Sequence, residues 1–325
     1  LWGLSVYVIA SLGIAQANSI GLVLALRLAQ ALGGGFASVV SLAAVRDMYS
    51  STEAGEKFAV VMLIMLLAPL LAPFAGAILL PLSWRAIFLG LVVYALVLIA
   101  WYALRIPETR AGPRLPISFV ATFGQVYEVL NRRVDDRRVP ARYAVSMAMA
   151  ASVLMVFLPN SSFLYIEYFG FSPGIFPYFF GASALALMAA NLICMKLLPR
   201  IDPRVMFRAG CAVQWVAVAS LFTAVLAGLA TIWIVVPLIM LGIGSVGLIN
   251  PAGNAVYMGY FKQLSGSAAS LFTVLMFALG SSLGALTSVL FDGSLLPMAS
   301  MMLLATTVSN VLAQSVFREP MPARD

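Results

Sequence analysis

The stretch GLVLALRLAQALGGGFASVV, residues 21–40, decides the fold class. It is almost wholly apolar or small and does not alternate as a barrel strand does. It is also long enough to cross a bilayer as a helix, for which about 20 residues suffice. One charge, Arg27, is set into it. An arginine at the middle of a span costs about 3 kcal/mol on insertion scales. Helix rise puts Arg27 about 9 Å inside its segment, too deep for its stem to lift the guanidinium easily into water. Gln30 lies three residues on, and Gly34, Ser38 and Ser41 continue the same face. A polar, small stripe on one side of a span faces a cavity or another helix. Gly33 and Gly34 let such a neighbour come close.

The rest of the chain has the same character. Of its 325 residues, 62% are hydrophobic and only 10% charged, with a mean hydropathy of +1.02. A soluble domain carries about 25% charged residues. The composition predicts an all-α integral membrane protein. The net charge of +7 does not mark a nucleic-acid binder, because the basic residues sit in short loops between apolar runs, where topology explains them. Cys194 and Cys211 fall in apolar segments, so no disulfide framework or metal site is implied. Histidine is absent. Proton chemistry near neutral pH therefore rests with carboxylates, Arg, Lys or Tyr.

Ten apolar segments can be marked, roughly 1–17, 21–45, 57–80, 86–104, 143–166, 174–195, 205–228, 232–256, 267–291 and 295–317. The long polar gap, 105–142, carries arginines 105, 110, 114, 132, 133, 137, 138 and 142. It divides a lobe of four spans, 1–104, from a lobe of six spans and a short tail, 143–325. With this loop in the cytoplasm, 17 of the 19 Lys and Arg fall inside, Arg85 falls outside and Arg27 is within a span. Both ends of the chain then face the cytoplasm. Two equal lobes would be six plus six. The chain opens on Leu1, already within a span, so the expectation is that two spans of a twelve-span bundle lie upstream of it.

Four stretches resemble the major facilitator superfamily, and within it the Bcr/CflA-type drug-resistance branch of proton-coupled exporters. RLAQALGGG at 27–35 with RD at 46–47 resembles the fourth-span motif R-x-x-Q-G-x-G…D. APLLAPFAG at 68–76 resembles the fifth-span antiporter motif G-P-x-x-G-P-x-x-G. SWRAIF at 83–88 and IPET at 106–109 bracket a sixth span, and GLINPAGNA at 247–255 with SGSAAS at 265–270 is similar to the tenth and eleventh. Three small residues depart from the pattern: Ala31 follows Gln30, and Ala68 and Ala72 precede the prolines, where the family has glycine.

The resemblance implies a major facilitator fold with about ten of twelve helices present. It also implies that Arg27, with Gln30 and Asp47, couples proton movement to transport. An arginine cannot give up its proton here, so its role would be electrostatic, lowering the pKa of a nearby carboxylate. No acid of this chain lies at mid-membrane. Asp47 is about 30 Å along the same helix, and Glu167 and Asp292 are at the outer rim. The expected partner is an acid upstream of Leu1. Pro69 and Pro73 share one face; each removes a backbone donor and bends the helix. Ala68, Ala72, Ala75 and Gly76 form a small-residue stripe beside them. The resemblance makes this bend part of an exporter's gate. Asn250 and Asn254 share a face and either contact substrate or satisfy the carbonyl freed by Pro251. Gly280 and Gly284 form a G-x-x-x-G packing pair.

No G-x-x-x-x-G-K-[ST] loop, enzyme constellation or metal-ligand spacing is present in the sequence. The expected function is export of drugs or small lipophilic molecules by proton antiport with alternating access. The partners are a small-molecule substrate and the lipid bilayer, with no nucleotide, no nucleic acid and no cofactor beyond the proton gradient. The expected setting is a monomer in the bacterial inner membrane. The alternatives are an importer or uniporter of a small metabolite, and a non-transporting membrane scaffold or inactive fragment.

Overall fold

In a bilayer every backbone polar group must be satisfied within its own segment, so apolar runs of this length become helices. The computed structural model describes residues 1–48, 57, 60–61, 64, 68, 71–105, 119–134, 137–261 and 264–316, with backbone only at 42–43, 45–47 and 119–123. The helices are α1 (Trp2–Gln16), α2 (Ile20–Met48), α3 (Trp84–Arg105), α4 (Phe119–Asn131), α5 (Val139–Ser162), α6 (Phe176–Leu197), α7 (Pro203–Leu226), α8 (Ile232–Tyr257), α9 (Ser265–Val289) and α10 (Leu296–Val316). Residues 71–79 are helical as well. Among the described residues eight helices are long and apolar enough to cross a membrane. The helix α1 is apolar but has 15 residues, about 22 Å of rise. The segment expected at 57–80 falls largely outside the described residues.

Two compact units divide the chain, Leu1–Pro116 and Ile117–Asp325. In the first, α1 packs against both α2 and α3. At the α1–α2 crossing, Gly3 and Gly33 meet backbone to backbone; a Cβ added at Gly33 would lie 2.6 Å from the Gly3 carbonyl oxygen. Arg85 holds the far end together. Its Nη2 donates to the Ala17 carbonyl and to Asn18 Oδ1, both at 3.1 Å, which satisfies the exposed carbonyl just past α1.

In the second unit α5 packs against α9 and α10, α8 against α6 and α7, and α7 against α10. Pro159 lies inside α5 and removes the donor that the Met155 carbonyl would have received. Gly284 of α9 comes in there, and a Cβ on it would be 3.2 Å from that oxygen. Gly280, one turn away, sits against Met155 Cγ in the same manner, at 2.6 Å. Beyond Ser162 the helix widens into a π-helical turn, Phe163–Tyr168. Two apolar clusters form the core, one around Tyr143, Met147, Phe207 and Tyr257, the other around Phe157, Tyr165, Leu221 and Ile243. Where they meet, Gln214 Nε2 donates to the carbonyls of Ala150 and Gly242, at 3.1 and 3.0 Å.

The region expected as loop, 105–142, is in part helical. The helix α4 forms because Val126 and Val129 are one turn apart and pack onto the Tyr143–Tyr257 cluster. The following helix also starts earlier than the apolar run, at Val139. Pro140 sits in its first turn, where a missing N–H costs nothing.

Candidate functional site

The polar face of α2 is met by α1. Ser11, fully buried, donates its hydroxyl to the Tyr7 carbonyl at 2.7 Å. The oxygen of that hydroxyl accepts from Gln30 Nε2, also at 2.7 Å. Gln30 is 3% exposed, so its carboxamide is fixed by what it touches. With its nitrogen given to Ser11, its Oε1 points the other way and accepts from Arg27 Nη1 at 2.9 Å. The Arg27 guanidinium also stands over the Phe88 ring of α3, 5.1 Å from the centroid, within cation–π range. Among the described residues no carboxylate meets Arg27. One of its five N–H donors is occupied by Gln30. Tyr7, Arg27, Gln30, Ala31, Gly34 and Gly35 bound a hollow of about 430 Å³.

The same stripe continues into a larger cavity of about 730 Å³ between α1, α2 and α3. Tyr7 and Gly34 line both spaces. Its α2 wall carries Ser38 and Ser41, whose hydroxyls donate back to the carbonyls of Gly34 and Ala37, leaving their oxygens as acceptors. Its α3 wall is aromatic, with Tyr94, Trp101 and Tyr102, and Arg105 stands over Trp101 at 6.0 Å. A volume within the range of small-molecule sites, with apolar and aromatic walls and a few polar groups, suits a drug-sized ligand.

The other singled-out residues lie apart from this face. Asp47 is in the last turn of α2, and its side chain lies outside the described residues. Pro69 lies outside them too. Pro73 and Gly76 are helical, and a Cβ on Gly76 would meet no described atom within 4 Å. Asn250 and Asn254 are in α8, one turn apart. Asn250 Oδ1 is buried and meets no donor among the described residues. Asn254 gives its carbonyl to the cap at Met258.

Residues 1–285 match the family described as the Major Facilitator Superfamily. The chain belongs to the Major Facilitator Superfamily. Its relatives in that superfamily include the MFS-type transporter YdgK of Bacillus subtilis, 25% identical over 94% of this chain and 75% of that protein. The bicyclomycin resistance protein homolog of Haemophilus influenzae is 26% identical over 89% of this chain and 71% of that protein. The chloramphenicol resistance protein of Pseudomonas aeruginosa is 26% identical over 86% and 65%. These names bear out the likeness to the drug-resistance branch. A crystal structure of a bacterial homolog to the human lysosomal transporter Spinster, inward-facing and unoccupied, shares the fold. It matches with a TM-score of 0.70 at 13% identity, over 97% of this chain and 80% of that one.

Within this Major Facilitator Superfamily chain, two parts of the face were not read from sequence. Ser11 is a polar residue near the middle of a largely apolar helix, which is a usable signal. Phe88 carries none, since an aromatic in a span is ordinary.

Proposed function

We propose that this multi-pass membrane transporter exports drugs or small lipophilic molecules by proton antiport with alternating access. The observation that carries the reading is the shared face: one polar stripe joins the Arg27–Gln30–Ser11 chain to an aromatic-walled cavity of about 730 Å³. Relatives named for bicyclomycin, chloramphenicol and multidrug resistance support lipophilic cargo. Arg27 keeps its charge throughout the cycle. Gln30 and Phe88 are neutral partners, weaker than a carboxylate. An ionised acid that faces Arg27 draws the guanidinium away from Gln30; once that acid takes a proton, Arg27 returns. Proton occupancy is thereby read out as a side-chain position on α2, next to the cavity wall. The protein works as a monomer in the inner membrane with both ends of this chain cytoplasmic, uses no cofactor beyond the proton gradient, and is not an enzyme.

The test is ethidium efflux from proteoliposomes under an imposed proton gradient. Arg27→Gln is expected to abolish gradient-driven efflux while downhill ethidium exchange persists. Wild-type efflux in Arg27→Gln would remove the coupling role, and gradient-driven accumulation in place of efflux would make the protein an importer.

A further inference from the structure

The loop before α5 and the first turn of that helix carry charge that the transport reading does not use. Residues 132–142, RRVDDRRVPAR, hold five arginines against two aspartates, a net charge of +3. Topology asks only that such loops be basic; it does not ask the charges to converge. Four of them do. Arg133, Arg137, Arg138 and Arg142 line one cavity of about 490 Å³, and its remaining wall is apolar, from Ala141 and Val145 of α5 and Leu312 of α10.

The backbone fixes this arrangement. Val134 and Arg137 exchange both N–H···O bonds, at 2.8 and 2.9 Å, which ties these two residues together ahead of the helix. Arg138 occupies the N-cap of α5, and no acid stands in the first turn. Deeper in the membrane, Ser146 Oγ donates to the Ser309 carbonyl at 2.7 Å, which locks α5 to α10 and sets the gap between Val145 and Leu312. A basic rim thus stands over an apolar cleft between two spanning helices, at the level where the membrane meets water.

We propose that this cleft binds an anionic phospholipid, with its phosphate between the guanidiniums of Arg138 and Arg142 and an acyl chain along Val145 and Leu312. Guanidinium forks match phosphate oxygens two bonds at a time. Basic pockets between helices suit lipid headgroups. The apolar floor selects an amphiphile over a free anion. Arg133 and Arg137 have further contacts within the chain, so the phosphate is assigned to the other two.

The experiment is native mass spectrometry of the purified full chain in detergent, with phosphatidylglycerol, phosphatidylcholine or inorganic phosphate added in separate arms. One phosphatidylglycerol per chain is expected to remain bound and phosphatidylcholine to be lost. Inorganic phosphate is expected neither to bind nor to displace the lipid. Arg138→Gln/Arg142→Gln is expected to weaken retention at least about tenfold, the scale of one lost charge-assisted bond. Arg132→Gln/Arg200→Gln removes the same charge outside the cavity and is expected to leave retention unchanged. Arg142→Lys keeps the charge and loses the fork; it is expected to weaken retention several-fold, and it carries the test should the double variant not fold. Equal weakening by both double variants would mean diffuse surface charge, equal retention of the two lipids an apolar slot, and displacement by phosphate a free-anion site. Each of these overturns the proposal.

Discussion

Gly33→Ala will force α1 and α2 apart, whereas the same change two residues later will not. A methyl group at Gly33 would stand 2.6 Å from the Gly3 carbonyl oxygen, 2.8 Å from the Tyr7 nitrogen and 3.3 Å from Tyr7 Cα. All three are backbone atoms of α1, so no rotamer change relieves the contact. Reaching an ordinary 3.4 Å separation requires about 0.8 Å of movement between the helices. A gap of that size forfeits roughly a quarter to a half of the dispersion attraction across the crossing. It also stretches the Gln30–Ser11 bond from 2.7 Å to the limit of a hydrogen bond, leaving a buried carboxamide under-satisfied. Together these place the loss at about 2–4 kcal/mol. Gly34 is a milder case, with its nearest described atom a Tyr7 ring carbon at 3.6 Å, so Gly34→Ala is expected to be near neutral. Gly35 has no described atom within 4 Å of a Cβ, and Gly35→Ala should gain up to about 1 kcal/mol of helix propensity. The assay is thermal unfolding of the three variants in one detergent, followed by tryptophan fluorescence. Equal stability of Gly33→Ala and wild type, or an equal loss at Gly35, would refute the close-crossing account.

Gln30→Glu gives Arg27 a permanent ionised neighbour in place of a neutral one. It is expected to stop gradient-driven efflux, because an incoming acid no longer competes for the guanidinium, and to lower the melting temperature, because a carboxylate at this buried position has no N–H to give Ser11. Gly280→Ala should cost about 1–3 kcal/mol and more than Gly284→Ala. Its methyl would meet Met155 Cγ and Cβ at 2.6 and 2.7 Å, whereas the one at Gly284 meets an oxygen at 3.2 Å; melting of the two variants decides the order. In the α9–α10 loop, Asp292 accepts from the Ser294 hydroxyl at 2.7 Å and its N–H at 2.9 Å, and these bonds hold its carboxyl below the usual value. A depressed carboxylate stabilises the fold above its unfolded pKa of about 3.9 and loses that contribution only as pH falls through the lower folded value. The melting difference between wild type and Asp292→Ala is therefore expected to be flat from pH 8 to 5 and to vanish in stronger acid.

The fold class was legible because a spanning helix is declared locally. Length and apolarity are properties of the segment itself, and the bilayer permits few alternatives to a helix. That Arg27 and Gln30 share a face was legible for a similar reason, since they are three residues apart on one helix; the hydrogen bond between them was added by the structure. The helix α4 was not legible. Its valines have meaning only beside the Tyr143–Tyr257 cluster, whose members are scattered along the chain. At Asn250 the residue types left two roles open; the structure adds a buried carbonyl oxygen that meets no donor among the described residues.

That the chain crosses a membrane as helices, and that a charge sits on a polar face of one of them, follows from residue order alone, since both rest on the transfer free energies of short segments. What that charge touches depends on how the helices pack. Ser11, reached through Gln30, and Phe88 lie on α1 and α3, and nothing in one helix fixes which face of another it will meet. Gly33 decides that meeting. A residue without a side chain carries little signal along the sequence, yet it sets how closely two backbones approach and so which polar groups come within reach.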